Sequence, residues 1–178
     1  MPEGTFRVGD VHELPEPDGS VDAVTAVQLL AHVANPLKVL RSAARVLARP
    51  HGVVVATVWG REPECDMRGF GEALADWLPP HRPPAGPPPL TEPDRLRKLA
   101  GLAGLAVIAL DEVRCPFDYP DDDALLDPLL ASGLGRQALG RAGPAAVRRA
   151  VLDRFAARRT PEGGYRLENL FRVLVARP

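Results

Sequence analysis

The residues able to do chemistry sit where short apolar runs end. Asp10 and Val11 follow the run Thr5 to Val8, Val27 and Gln28 close the run Val21 to Val27, and Thr57 to Trp59 close the run from Val53. If these runs are strands of an open α/β sheet, all three ends face the crevice in which such sheets hold ligands. Asp10, when ionised, is an acceptor-only group suited to an amino donor, and could equally cap the turn at His12-Glu13. Gln28 offers both a donor and an acceptor, or is simply a polar residue facing water. His32, just after the second run, is the histidine placed to take a proton near neutral pH; on a helix covering the sheet it would have no chemical part.

Other chemical groups read more plainly. Cys65 and Cys115 have no metal or redox spacing. Asp121-Asp122-Asp123 reads as an N-cap and acidic first turn, so no metal is expected there. Trp59, Trp77, Phe117 and Tyr119 either line an acceptor pocket or pack in a core. Arg148, Arg149, Arg154, Arg158 and Arg159 read as a solvated helix face.

The positioning elements follow from pattern. Thr5 to Val8 is expected to be a first strand, and LPEPDGS (14 to 20) a loop, because its prolines and Asp-Gly break regular structure. The near-continuous apolar run Val21 to Val27 predicts a strand buried on both faces. Asn35-Pro36 predicts a helix start, with Leu37, Leu40, Ala43, Ala44 and Leu47 at helical spacing; Val53 to Val58 predicts a third strand. A helix over 69 to 78 precedes a proline-rich connection over 79 to 93, where eight prolines exclude helix and ladder. Thr91 is expected to cap the next helix. A strand from Leu105, a helical cover insertion over 121 to 160, and one last strand from Tyr165 to Arg177 complete the chain.

Composition narrows the function classes. The 178 residues are 46% hydrophobic and 25% charged, enough for a single core, so one domain over 1 to 178 is expected. With 22 basic and 23 acidic side chains the net charge is -1, which gives no excess to hold nucleic acid or an anionic membrane. No apolar run approaches the roughly 20 residues of a membrane span, and MPEGTFRVGD has no signal-peptide features, so a cytoplasmic protein is expected.

Taken in order, Gly9-Asp10, Glu13-Leu14-Pro15, Asp18-Gly19-Ser20 with Asp22, and Arg45-Val46-Leu47-Ala48-Arg49-Pro50-His51-Gly52 resemble the later motifs of class I S-adenosylmethionine-dependent methyltransferases of the type 11-like kind. Gly163-Gly164-Tyr165-Arg166-Leu167 and Phe171-Arg172 look like the closing strands of that family. His51 replaces the first glycine of its Pro-Gly-Gly turn. The resemblance implies an α/β, Rossmann-like methyltransferase sheet, mostly parallel, with an antiparallel C-terminal strand and a helical insertion before it. It implies S-adenosylmethionine as cofactor and a small-molecule acceptor. Asp10 would then meet the adenine amino group, the Val11 N–H a ring nitrogen, and Val27 and Gln28 the region of the sulfonium. His32 would serve as base for a hydroxyl acceptor. The family's glycine-rich loop has no counterpart here, since only nine residues precede Asp10. The expected domain is therefore N-terminally truncated, and a sheet edge is left open for a homodimer or a partner chain. A non-catalytic, methyltransferase-like pairing module is the alternative. Another nucleotide-dependent oxidoreductase is a weaker reading, because no glycine fingerprint follows a strand.

Overall fold

The structure, a computed structural model, describes residues 4–79 and 89–178. In chain order the elements are β1 (Ala23–Val27), α1 (Pro36–Val46), β2 (Val53–Trp59), α2 (Arg68–Ala73), α3 (Pro93–Leu102), β3 (Ala106–Arg114), β4 (Phe117–Tyr119), α4 (Asp122–Ala131), α5 (Gly133–Ala142), α6 (Pro144–Phe155), β5 (Tyr165–Leu167) and β6 (Leu170–Arg177). The chain folds as two compact units, one of Met1–Trp59, Pro88–Val113 and Phe171–Pro178, the other of Gly60–Pro87 and Arg114–Leu170. Most of the proline-rich connection expected over 79 to 93 lies outside the described residues.

The first unit carries a four-stranded sheet in the order β1-β2-β6-β3. β1 runs parallel to β2 with Ala23 opposite Val53 and Val27 opposite Thr57. β6 runs antiparallel to β2, from Val54 opposite Ala176 to Trp59 opposite Phe171. This is the mixed α/β sheet and antiparallel closing strand that the motifs imply.

Helix α1 forms because Asn35 caps it, accepting from the Lys38 N–H at 3.0 Å, and Pro36 sits where no donor is needed. Its apolar stripe (Val39, Leu40, Ala43, Ala44) packs with Leu96, Leu99 and Ala100 of α3 and with Ala26, Val54, Ala56, Val58, Leu174 and Ala176 of the sheet. α3 begins one residue later than its sequence suggests: Glu92, not Thr91, is the capping position.

Two strand expectations are corrected. Residues 4 to 10 form no strand, and Phe6 and Val8 are fully exposed. A strand is held by its neighbour's ladder, and Thr5 to Val8 pairs with nothing among the described residues. Nor is β1 buried on both faces. Among the described residues it is an edge strand whose only neighbour is β2; Ala23, Thr25 and Val27 are exposed while Ala26 is buried. β2 alternates in the same way, burying Val54, Ala56 and Val58 and leaving Val53, Val55, Thr57 and Trp59 half-buried.

The second unit packs α2 and α4 to α6 around Phe70, Leu74, Leu125, Leu126, Val147, Val151 and Phe155, with Tyr165 and Leu167 from the β4-β5 ladder. The helical pattern over 121 to 160 is thus three helices. The single last strand expected from Tyr165 is two strands in two different sheets. Between them the buried Asn169 donates to the Leu167 carbonyl and accepts the Met67 N–H. The arginine stripe on α6 and just after it is ion-paired rather than merely solvated. Arg148 pairs with Asp123, Arg154 with Glu72, Arg158 with Asp66 and Arg159 with Asp122. Among the described residues no helix is long and apolar enough to cross a membrane.

Candidate functional site

In the first unit Gln28 follows the carboxyl end of β1 and meets Thr57 of β2, while Asp10 lies near the N-terminus. Asp10 lies in the turn that leads into the 14 to 20 loop. Its Oδ1 accepts the His12 N–H at 2.9 Å and meets His12 Nδ1 at 2.6 Å. The carboxylate therefore caps this turn, as one of its two sequence readings holds. The His12 backbone hydrogen bond, helped by the ring, keeps the Asp10 carboxyl below its ordinary value of 3.8. Only Oδ1 takes part in these bonds, so Oδ2 remains open to a donor on a side chain that is 64% exposed. The other ring nitrogen of His12, Nε2, is buried and without a partner among the described residues. Sequence reasoning passed over His12; the spacing of an aspartate and a histidine two residues apart was the available signal.

The loop after this turn is held by α1. The buried Ser42 Oγ accepts the Leu14 N–H at 2.9 Å. Arg45 donates to the Leu14 and Glu16 carbonyls and pairs with Asp18. Lys38 reaches Glu13 at 2.5 Å. These three α1 residues fix where the Asp10 turn sits. Val11 is half-buried against the core of this unit.

Gln28 is the most constrained residue of the site. It is the only non-glycine in the described chain with positive φ, at 52°, in a region that costs a side-chain-bearing residue about 1–2 kcal/mol. Its N–H reaches both the carbonyl and the hydroxyl of Thr57, at 3.1 and 3.0 Å, which pins the end of β1 to β2. Its Nε2 also points at the Thr57 hydroxyl, at 3.4 Å, while its Oε1 is buried with no partner among the described residues. A buried acceptor left open costs roughly 1–3 kcal/mol. Strain and an unsatisfied acceptor on one side chain mark a ligand position better than either alone. Val27, beside it, is 71% exposed.

His32 is not on a covering helix. It is exposed in the turn between β1 and α1, with its backbone N–H donated to the Leu29 carbonyl. Trp59 packs on Phe171, ring centroids 4.5 Å apart, in the first unit; Trp77, Phe117 and Tyr119 pack against the core of the second. Asp121 caps α4, and Asp122 and Asp123 hold arginines. Among the described residues no group of three His, Cys, Asp or Glu side chains converges as a metal site would require.

Comparison with known proteins bears on the family and the fold. Residues 2–56, which include Asp10, Val11, Val27, Gln28 and His32, match the family described as methyltransferase domain. Over 55 residues the chain is 44% identical to an uncharacterised 37.1 kDa protein of transposon Tn4556 from Streptomyces fradiae. That stretch is 31% of this chain and 16% of the relative. Among solved structures, a proposed type II methyltransferase from Anaeromyxobacter dehalogenans aligns with TM-score 0.61 at 21% identity, over 99% of this chain and 73% of that one. A proposed methyltransferase from Bacillus halodurans aligns with TM-score 0.56 at 18% identity, over 95% and 69%. The [4+2]-cyclase SpnF aligns with TM-score 0.52 at 20% identity, over 97% of this chain and 56% of its own.

Proposed function

We propose, for a chain whose residues 2–56 are of the methyltransferase domain family and whose fold is the class I methyltransferase fold, that it serves S-adenosylmethionine-dependent methyl transfer to a small-molecule acceptor. The observation that carries this reading is the Gln28 Oε1, without a partner among the described residues just past the carboxyl end of β1, within the matched stretch that also holds the exposed Asp10 carboxylate.

The residues present fit the adenosine side of the cofactor. Asp10 Oδ2 would accept from the adenine amino group and the Val11 N–H would donate to the ring, with Gln28 Oε1 taking a further donor and exposed Val27 giving an apolar contact. The sequence has no Gly-x-Gly-x-Gly turn, and no residue is assigned to the methionine end. Bound S-adenosylmethionine would supply an electrophilic methyl group on a sulfonium, for which in-line positioning matters more than strong acid or base. His32 is the residue proposed to take the proton of a hydroxyl acceptor; its exposure in the turn after β1 leaves it free to do so.

Isothermal titration of the 178-residue chain with S-adenosylmethionine and S-adenosylhomocysteine tests this reading. Saturable binding that Asp10→Ala weakens at least tenfold supports it. A folded chain that binds neither ligand overturns it.

One observation favours a second reading, a non-catalytic pairing module. Among the described residues β1 has an unpaired edge, and Val27 on it is exposed. Unpaired edges template strand addition by a second copy or a partner chain. The SpnF neighbour is described as a cyclase, and a fold alone does not fix chemistry. Sedimentation across a hundredfold concentration range distinguishes this reading: a dimer that Thr25→Pro abolishes supports it, and a monomer throughout removes self-pairing.

A further inference from the structure

A cavity lies between the start of α1 and one face of α3. Its volume is about 280 Å³, and it is lined by Ala34, Asn35, Pro36 and Leu37 on one side and by Arg95, Lys98, Leu99 and Leu102 on the other. Arg95, Lys98, Leu99 and Leu102 recur at spacings of three and four, so one face of α3 presents both cations beside its leucines.

Among the described residues no carboxylate pairs with the charges of this cavity. Neighbouring cations are paired: Arg97 with Asp94, Lys38 with Glu13, while Arg41 donates to the Leu102 carbonyl. Arg95 and Lys98 form no ion pair among the described residues, and Arg95 Nε is buried without a hydrogen-bond partner. A buried guanidinium N–H with no acceptor costs free energy unless an acceptor arrives. The eleven-residue helix α1 adds the positive end of its dipole at the same mouth. No carboxylate lines the cavity, whereas Leu37, Leu99 and Leu102, the last 54% exposed, give it an apolar side.

We infer that this cavity binds a small amphipathic anion, a carboxylate or phosphate monoester carrying a short apolar tail. The anionic head sits against Arg95 and Lys98, and the tail lies on Leu99 and Leu102. Neither Asp10 nor Gln28 lines this cavity, and binding there does not depend on methyl transfer.

The test is a titration of the whole chain, followed by amide NMR, with hexanoate, hexyl phosphate, inorganic phosphate and neutral hexanol. Saturable shifts at residues 34–38 and 95–102 are expected with hexanoate or hexyl phosphate, and which of the two binds more tightly identifies the head group. Arg95→Gln and Lys98→Gln should each weaken binding at least tenfold. Neither side chain holds another element, so both variants should fold, and circular dichroism checks that they do. Hexanol binding as tightly as the anions removes the charged subsite. Inorganic phosphate binding as tightly as hexyl phosphate removes the apolar one. Absence of saturable binding, or binding unchanged in both variants, overturns the inference.

Discussion

Gln28 holds its positive φ with a side chain whose amide nitrogen reaches Thr57 and whose oxygen has no partner among the described residues. Replacing it with glycine relieves the backbone strain and removes the open acceptor, against the entropy of a more flexible unfolded chain. Urea unfolding of Gln28→Gly is therefore expected to show a gain of about 1 kcal/mol, with weaker S-adenosylhomocysteine binding. A loss of stability would mean that the Gln28 side chain supports the fold. At Asp10 the carboxyl is held below 3.8 chiefly by the His12 N–H and then by its ring. A depressed carboxyl pKa contributes stability present above the ordinary value and lost as pH falls through the lowered one. Carbon-detected NMR titration should place Asp10 below 3.8, and His12→Ala should move it part of the way back, since the backbone bond survives. No movement would show that the ring bond is not made in solution. The place of Val27 and Gln28 at the end of β1 was legible from their apolar run, whereas the run before Asp10 and Val11 misleads, since it forms no strand. The φ of Gln28 was not legible, because it is imposed by Thr57, 29 residues away.

Helix α1 and the turn after it show what local pattern can and cannot reveal. Its cap, its proline and its stripe were all readable, since each acts within a turn or two of chain. Its grip on the 14 to 20 loop through Ser42 and Arg45 was not, because those bonds join residues 27 to 31 apart and no periodicity encodes them. Gly52 ends this segment against the chain that precedes it: a Cβ there would lie 2.6 Å from the Ala48 carbonyl and 2.9 Å from the Leu47 Cβ. Gly52→Ala should therefore cost about 1–3 kcal/mol in thermal or urea unfolding. A neutral result would mean that this turn can shift without disturbing β2. The same limit explains the last strands. Tyr165 to Arg177 reads as one β-rich run, yet Asn169 divides it by bonds to Leu167 and to Met67, about 100 residues away. The arginines of α6 were likewise assigned to solvent because Glu72, Asp66, Asp122 and Asp123 are remote in sequence; exposed pairs of this kind contribute only about 0–1 kcal/mol each.

At the scale of the whole molecule, the sheet order and the antiparallel β6 follow the motif order seen in the sequence, while Thr5 to Val8 does not become a strand. Strand propensity alone could not reveal this, because a strand exists only where a neighbour supplies its ladder, and among the described residues β1 has β2 alone. The same single-neighbour edge leaves Ala23, Thr25 and Val27 exposed where a parallel sheet is ordinarily covered. Whether the crevice beside that edge holds the cofactor is the central claim. Amide-resolved NMR of the 178-residue chain titrated with S-adenosylhomocysteine tests it most directly. Saturable shifts centred on Val11, His12, Val27 and Gln28, lost in Asp10→Ala, are the predicted result. A folded chain with no saturable shift at those amides, or with shifts confined to the cavity between α1 and α3, would contradict it.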